Sequence, residues 1–245
     1  MIKTVKLFGL DVAAMNMEET VTFIDEKIKN NITMQHVVIN ASKTVLMEKD
    51  KNLKKIIKQC KLINADGQSI VWASKILKKP LPERVAGIDL MFELISLAEE
   101  KEYGVYFFGA TSDVVKKTVN IFKEKHPKLI VSGYRNGYFT KNDENEIIED
   151  MRKSGAKILL VAFSSPKKEY WLCEHIAKLN IPFCMGVGGS FDVVAGKTKR
   201  APKWMQKNGL EWFYRFVQEP RRMWKRYILG NLSFVSLVIK EKYNF

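Results

Sequence analysis

VYFFGATSDVVKKTVNIFKEK, residues 105–125, decides the class of fold. Val105 to Phe108 is apolar at every position, the pattern of a strand covered on both faces. Gly109-Ala110-Thr111-Ser112 makes a short turn, and Asp113 to Lys125 reads as a helix. The same unit repeats toward the C-terminus. A strand is expected over 129–132, a helix over 142–153, a strand over 158–163, a helix over 166–179 opened by Pro166, and a strand over 182–187. Toward the N-terminus, His36-Val-Val-Ile-Asn40 and Leu62-Ile-Asn-Ala-Asp66 are further apolar strands, each ending on a polar residue. Helices are expected over 17–29, from a Ser42 cap to Leu46, and over 53–60, 69–77 and 89–101. Residues 5–12 read as a short strand or the start of a hairpin. Apolar strands alternating with helices imply an α/β class: a Rossmann-like, mostly parallel sheet with helices on both faces.

The 245 residues allow one domain with an appendage, and 46% apolar content supports a core. The composition shifts near Lys197, which divides the chain into an α/β domain over 1–196 and a helical appendage over 197–245. Between Lys197 and Arg226 lie ten Lys/Arg against Glu211 and Glu219, which is +8 of a total +14. Trp204, Trp212 and Trp224 fall in the same stretch, with Phe213, Tyr214, Phe216 and Tyr227 between the charges. A cationic segment interleaved with large aromatics suits an anionic surface that also offers an apolar layer, as a membrane does. The N-terminus has no secretory pattern and no window of about 18 apolar residues exists. The expectation is a cytoplasmic protein that lies on the membrane without spanning it. Cys60, Cys173 and Cys184 have no C-x-x-C spacing and read as reduced thiols in or near the core.

In an open α/β sheet, ligands bind beyond the carboxyl ends of the strands. Polar or glycine-rich residues stand there after five strands: Asn40, Asp66-Gly67, Gly109-Ala110-Thr111-Ser112, Ser164-Ser165-Pro166-Lys167, and the turn from Gly186 through Gly188 and Gly189 to Asp192. Asp66 fits a general base for a hydroxyl, and equally a turn aspartate bonding its own backbone. The Gly109 turn fits a phosphate at a helix N-terminus, and equally a capped strand-to-helix turn. No Walker A or G-x-G-x-x-G motif is present. None of the nine Asp stands two residues from another, and His36, His126 and His175 match no ligand spacing, so no metal and no cofactor is expected. Arg84, Lys167 and Lys168 are candidates to meet phosphate charge.

These residues resemble a family. Residues 62–67 (LINADG) and 80–90 (PLPERVAGIDL), then 105–110 (VYFFGA), 165–171 (SPKKEYW) and 186–204 (GVGGSFDVVAGKTKRAPKW), are similar in order to the signatures of the WecG/TagA/CpsF glycosyltransferases. Residues 210–215 and 218–222 continue the match. The resemblance implies an inverting transferase that moves N-acetylmannosamine, or a related sugar, from a UDP donor to polyprenyl-diphosphate-linked N-acetylglucosamine, in teichoic-acid-like wall or surface polymers. Related hexosyl or uronosyl transfer is the alternative. The family's base carries over to Asp66, a substrate-contacting polar position to Asn40, and the membrane-meeting appendage to residues from Lys197 onward. Arg215, Arg221, Arg222 and Arg226, with Trp212 and Trp224, would meet lipid or diphosphate. Three positions depart from the family pattern: Val38 for Thr, Ser164 for Gly and Lys168 for Gln. Charge alone would also suit a nucleic-acid binder, but no recognisable DNA- or RNA-binding motif accompanies it. A dehydrogenase would leave the basic segment unexplained. A homo-oligomer is left open.

Overall fold

The computed structural model describes residues 2–218, 220 and 230–243, with backbone alone at 207 and 215. Its centre is a six-stranded sheet, every neighbouring pair of which is parallel. In chain order the strands are β3 (Met34–Ile39), β4 (Leu62–Ala65), β5 (Val105–Gly109), β6 (Val131–Arg135), β7 (Ile158–Ala162) and β8 (Phe183–Gly186), and their order across the sheet is β4-β3-β8-β7-β5-β6. An antiparallel hairpin, β1 (Thr4–Leu7) and β2 (Leu10–Ala13), forms a second sheet packed on the end of the first, as the short N-terminal strand signal anticipated.

The unbroken apolar runs are explained by burial on both faces. Along β5, Val105 and Phe107 point into one core cluster and Tyr106 and Phe108 into another. Along β7, Ile158 and Leu160 join the first, Leu159 and Val161 the second. The first face is covered by α1 (Met17–Lys29), α5 (Gly87–Glu100), α6 (Ser112–Lys125) and the short α9 (Ser190–Val194). The second carries α2 (Ala41–Lys49), α3 (Lys51–Gln59), α4 (Gln68–Ile76), α7 (Glu144–Lys153) and α8 (Lys167–Leu179). Beyond α9 come α10 (Lys203–Lys207), α11 (Glu211–Gln218) and α12 (Gly230–Tyr243). Helix α12 returns to the domain, burying Phe234 and Val238 with the hairpin and α2, and Phe8 and Phe234 meet at 5.5 Å between ring centroids.

Several boundaries differ from the sequence expectation, three of them near the strand ends or at the sheet edge. Helix α2 is capped by Asn40, whose side chain accepts from the Lys43 N–H at 3.0 Å, rather than by Ser42. Helix α5 starts at Gly87, two residues before Asp89. Strand β6 starts at Val131, because Leu129 is spent on a buried turn bonded to His126. As an edge strand, β6 is only partly buried, so it lacks the continuous apolar signal of β5 and β7.

His36 sits in β3 at 1% exposure, its Nε2 3.0 Å from Asn64 Oδ1 on β4. Burial pushes its pKa down to about 3. The unfolded chain therefore binds a proton near pH 6.5 that the folded chain refuses, so stability falls as pH drops below that value. At pH 5 this should cost about 2 kcal/mol relative to pH 7.5. Denaturant titrations at the two pH values should show the loss, and His36→Asn should flatten it. An equal loss in the variant would place the effect elsewhere.

Candidate active site

Helix positions part several neighbouring chains at the carboxyl edge of the sheet, and two of these partings carry the candidate residues. Strand β3 leads into α2 on the second face and β8 into α9 on the first, so their chains part between them. Strand β5 leads into α6 on the first face and β7 into α8 on the second, which opens another gap. Such partings are where open α/β sheets bind ligands. From β4 to β5 is four strand spacings, roughly 19 Å. That is room for one elongated ligand lying across both.

Register builds the first crevice. Val38 pairs with Asn64 and Ile39 with Ala65, and the Asp66 N–H donates to the Ile39 carbonyl at 2.8 Å. Asn40 and Asp66 thus leave the sheet side by side. Gly67 adopts φ +155, and a β-carbon there would lie 3.4 Å from Asn40 Cβ. The loop after α4 joins them. The Val85 N–H donates to the Ala65 carbonyl at 3.0 Å, which sets Arg84 next to the end of β4. Gly87 continues over Val38 and Met185, with a β-carbon position 3.6 Å from each. The apolar Val38 therefore packs under the start of α5.

Strand β8 supplies the floor. The Lys168 chain lies across the glycine turn: a β-carbon on Gly186 would sit 2.6 Å from Lys168 Cδ, and one on Gly188 3.3 Å from Lys168 Nζ. Glycine is what makes room for that lysine. Beneath it is a feature that sequence reasoning missed. Lys43 and Glu169, 5% and 1% exposed, form an ion pair at 2.6 Å. Ser165 Oγ donates to the other carboxylate oxygen at 2.9 Å, and Lys168 Nζ lies 3.8 Å away. Burial works against the Glu169 charge, but the Lys43 and Lys168 ammonium groups, with hydrogen bonds from Lys43 and Ser165, prevail, and its pKa is lowered. Lys43 lies one helical turn after Asn40, so the cap that starts α2 also aims the lysine. Only the unplaced Glu in SPKKEYW hinted at this pair.

The second crevice holds Gly109, Ala110 and Lys167. Gly109 has φ +120, and a β-carbon there would strike the Ala162 backbone at 2.8 Å, so this turn needs glycine. The Gly137 N–H donates to the Ala110 carbonyl at 2.9 Å, closing a loop over the turn. Lys167 is exposed and rides over the rings of Phe163 and Phe139, 4.8 and 5.3 Å from their centroids. Gly188 and Gly189 lie between the two crevices. Asp192, in the first turn of α9, accepts from the Lys197 and Thr198 N–H groups through its carbonyl at 2.9 and 3.1 Å.

The C-terminal segment reaches the first crevice through four charges. Arg200 grips Asp89 with two hydrogen bonds, at 2.6 and 2.8 Å. Its Nε lies 3.6 Å from Glu211, Arg84 Nη1 meets the same carboxylate at 3.2 Å, and Arg84 Nη2 stands 3.8 Å from Asp89. Burial opposes the Arg200 charge. Asp89, Glu211 and Asp66 outweigh it and raise its pKa. Trp212 and Phe213 are exposed and meet edge-to-face. Arg221, Arg222, Trp224 and Arg226 lie outside the described residues, as does the side chain of Arg215. Among the described residues, no helix is long and apolar enough to cross a membrane, and no three His, Cys, Asp or Glu are grouped to hold a metal ion.

The model of the WecG/TagA/CpsF glycosyl transferase family matches residues 5–245. The chain belongs to that family. It is therefore a glycosyltransferase. Among similar proteins, one from Bacillus subtilis is 31% identical over 222 residues, covering 91% of this chain and 84% of the relative. One from Bacillus spizizenii is 33% identical over 187 residues, with 76% and 71% covered. One from Staphylococcus aureus is 29% identical over 235 residues, with 95% and 89% covered. Each is named N-acetylglucosaminyldiphosphoundecaprenol N-acetyl-beta-D-mannosaminyltransferase.

Proposed function

We propose that this protein transfers N-acetylmannosamine from a UDP donor to N-acetylglucosamine carried on undecaprenyl diphosphate, with inversion and without a resident metal. The observation that carries the substrate assignment is the shared name of relatives that align along most of the chain. Asp66 takes the proton of the acceptor hydroxyl while its oxygen bonds to the anomeric carbon. The bond from that carbon to the UDP oxygen breaks, and UDP leaves with the electron pair from the opposite face. Asn40, one strand over, orients the sugar. Lys168 on the floor and Arg84 beside Asp66 are cations in reach of the leaving diphosphate. The nucleotide end extends toward Gly109, Ala110 and Lys167. The Gly188–Gly189 turn lets the chain of the ligand pass close to backbone, and Asp192 meets it from α9.

Turnover with a panel of UDP-N-acetylhexosamines against a lipid-diphosphate N-acetylglucosamine acceptor tests this. UDP release dependent on both N-acetylmannosamine donor and acceptor is the expected result. Preference for another donor would overturn the sugar assignment.

The lipid acceptor stays in the bilayer, so we place the enzyme peripherally on the cytoplasmic face. Support comes from large apolar side chains left outside on the C-terminal segment: Trp204 is 61% exposed and Val217 62%, with Trp212 and Phe213 between them in sequence. Each nearby Lys/Arg adds about 1 kcal/mol at an anionic leaflet. Replacing Trp212, Phe213 and Val217 together by Ser should release the protein from phosphatidylglycerol vesicles in a sedimentation assay. Unchanged sedimentation would remove this segment from the docking surface. Truncation after Gly196 is a poorer test, because it also strips Phe234 and Val238 from the core.

A further inference from the structure

We propose that Arg200 is a positioning residue for the transfer, which with Asp89, Glu211 and Arg84 closes a ring of four alternating charges that holds the start of the C-terminal segment beside Asp66. The inference rests on Asp66 being the base. Two members of the ring, Arg84 and Asp89, belong to the α/β domain, and two, Arg200 and Glu211, to the segment after Lys197. Each charge has an opposite neighbour on both sides around the ring, at 2.6, 3.2, 3.6 and 3.8 Å. Arg84 and Arg200 are each 17% exposed and Glu211 15%, while Asp89, at 36%, is the member open to solvent. The Arg200–Asp89 contact is the forked, two-bond form, which fixes orientation as well as distance.

The ring is tied to the reacting edge by backbone. Arg84 precedes Val85, whose N–H binds the Ala65 carbonyl, and Ala65 precedes Asp66. Arg200 also feels the Asp66 charge directly. A shift of α11 would therefore be transmitted to Arg200, and from it to Asp66. Two links are slack: Arg84 Nη2 stands 3.8 Å from Asp89, and Arg200 Nε, which is buried, stands 3.6 Å from Glu211, both beyond hydrogen-bond reach. Movements of less than an ångström would close both. That gives the ring a tighter state to enter when substrate fills the crevice.

The test combines kinetics with hydrogen exchange on the full-length protein. Arg200→Met should lower kcat by about 10²-fold, the scale of a small misplacement of reacting groups, with donor KM unchanged. Exchange of the amides at 203–218 should accelerate while that of β5 and β7 stays slow. Arg200→Lys should recover part of kcat. If Arg200→Met does not fold, Glu211→Gln, which removes one charge from the ring, should show the same kcat loss in smaller measure. Wild-type kcat in a folded ring variant would overturn the proposal. So would unchanged exchange at 203–218, or a fall in kcat matched by a rise in KM. If the wild-type protein transfers no sugar from any donor in the panel, the functional reading fails, whereas the exchange pattern still judges the ring.

Discussion

Asp66→Asn should lower kcat by roughly 10²–10⁴-fold, the contribution expected of a general base. The change is nearly isosteric, so what holds the position should survive. The Asp66 N–H still meets the Ile39 carbonyl, Gly67 still opens α4, and the Val85–Ala65 bond is untouched. Lost is the carboxylate that would accept the hydroxyl proton. The other carboxylates near the strand ends are poor substitutes. Asp89 and Glu211 are each shared by two arginines, and Glu169 is buried under Lys43. Rapid-quench measurement of UDP release, with saturating donor and acceptor, isolates this step. Donor affinity and the unfolding midpoint should change little, which separates the loss from misfolding. A variant turning over at near the wild-type rate would remove Asp66 from the role of base.

The fold was legible because burial on both faces leaves a direct trace. Val105–Phe108 and Ile158–Phe163 are apolar at every position only because helices cover both sides of β5 and β7. Edge strand β6 is only partly buried, so its limits are less distinct. The ends of the strands were legible for the same reason. A polar residue directly after an apolar run must lie at the rim, which is how Asn40 and Asp66 stood out. What failed was long-range charge pairing. By sequence Arg200 belongs to the cationic run from Lys197 to Arg226, yet it faces Asp89, 111 residues away in sequence. Lys43 and Glu169 lie 126 residues apart and look like ordinary helix-surface charges locally. No periodicity reports a partner at such separations. A carboxylate inside an otherwise assigned stretch, such as Glu169 in SPKKEYW, is the trace that remains.

That buried pair carries the second large effect. Glu169→Leu leaves the Lys43 ammonium at 5% exposure without the carboxylate that holds it at 2.6 Å. Breaking a buried pair from one side typically costs about 3–5 kcal/mol, because the remaining charge is stranded. At 2–4 °C per kcal/mol for a chain of this size, the unfolding midpoint should fall by roughly 10 °C. The double replacement Lys43→Met with Glu169→Leu removes both charges and should restore most of that loss, since an apolar pair of similar volume is often neutral. The sign with pH follows from the lowered Glu169 pKa. Its contribution is present above about pH 4.5 and disappears as the pH falls through the folded value. Activity should divide from stability in the double variant. Lys168 rests 3.8 Å from Glu169 and across Gly186 and Gly188, so losing the carboxylate frees the lysine from its place on the crevice floor. The double variant should therefore fold and still bind donor more weakly than the wild type. Equal stability of the single and double variants would mean that the pair does not act as a unit. Wild-type donor affinity in the double variant would mean that the pair serves the fold and not the floor.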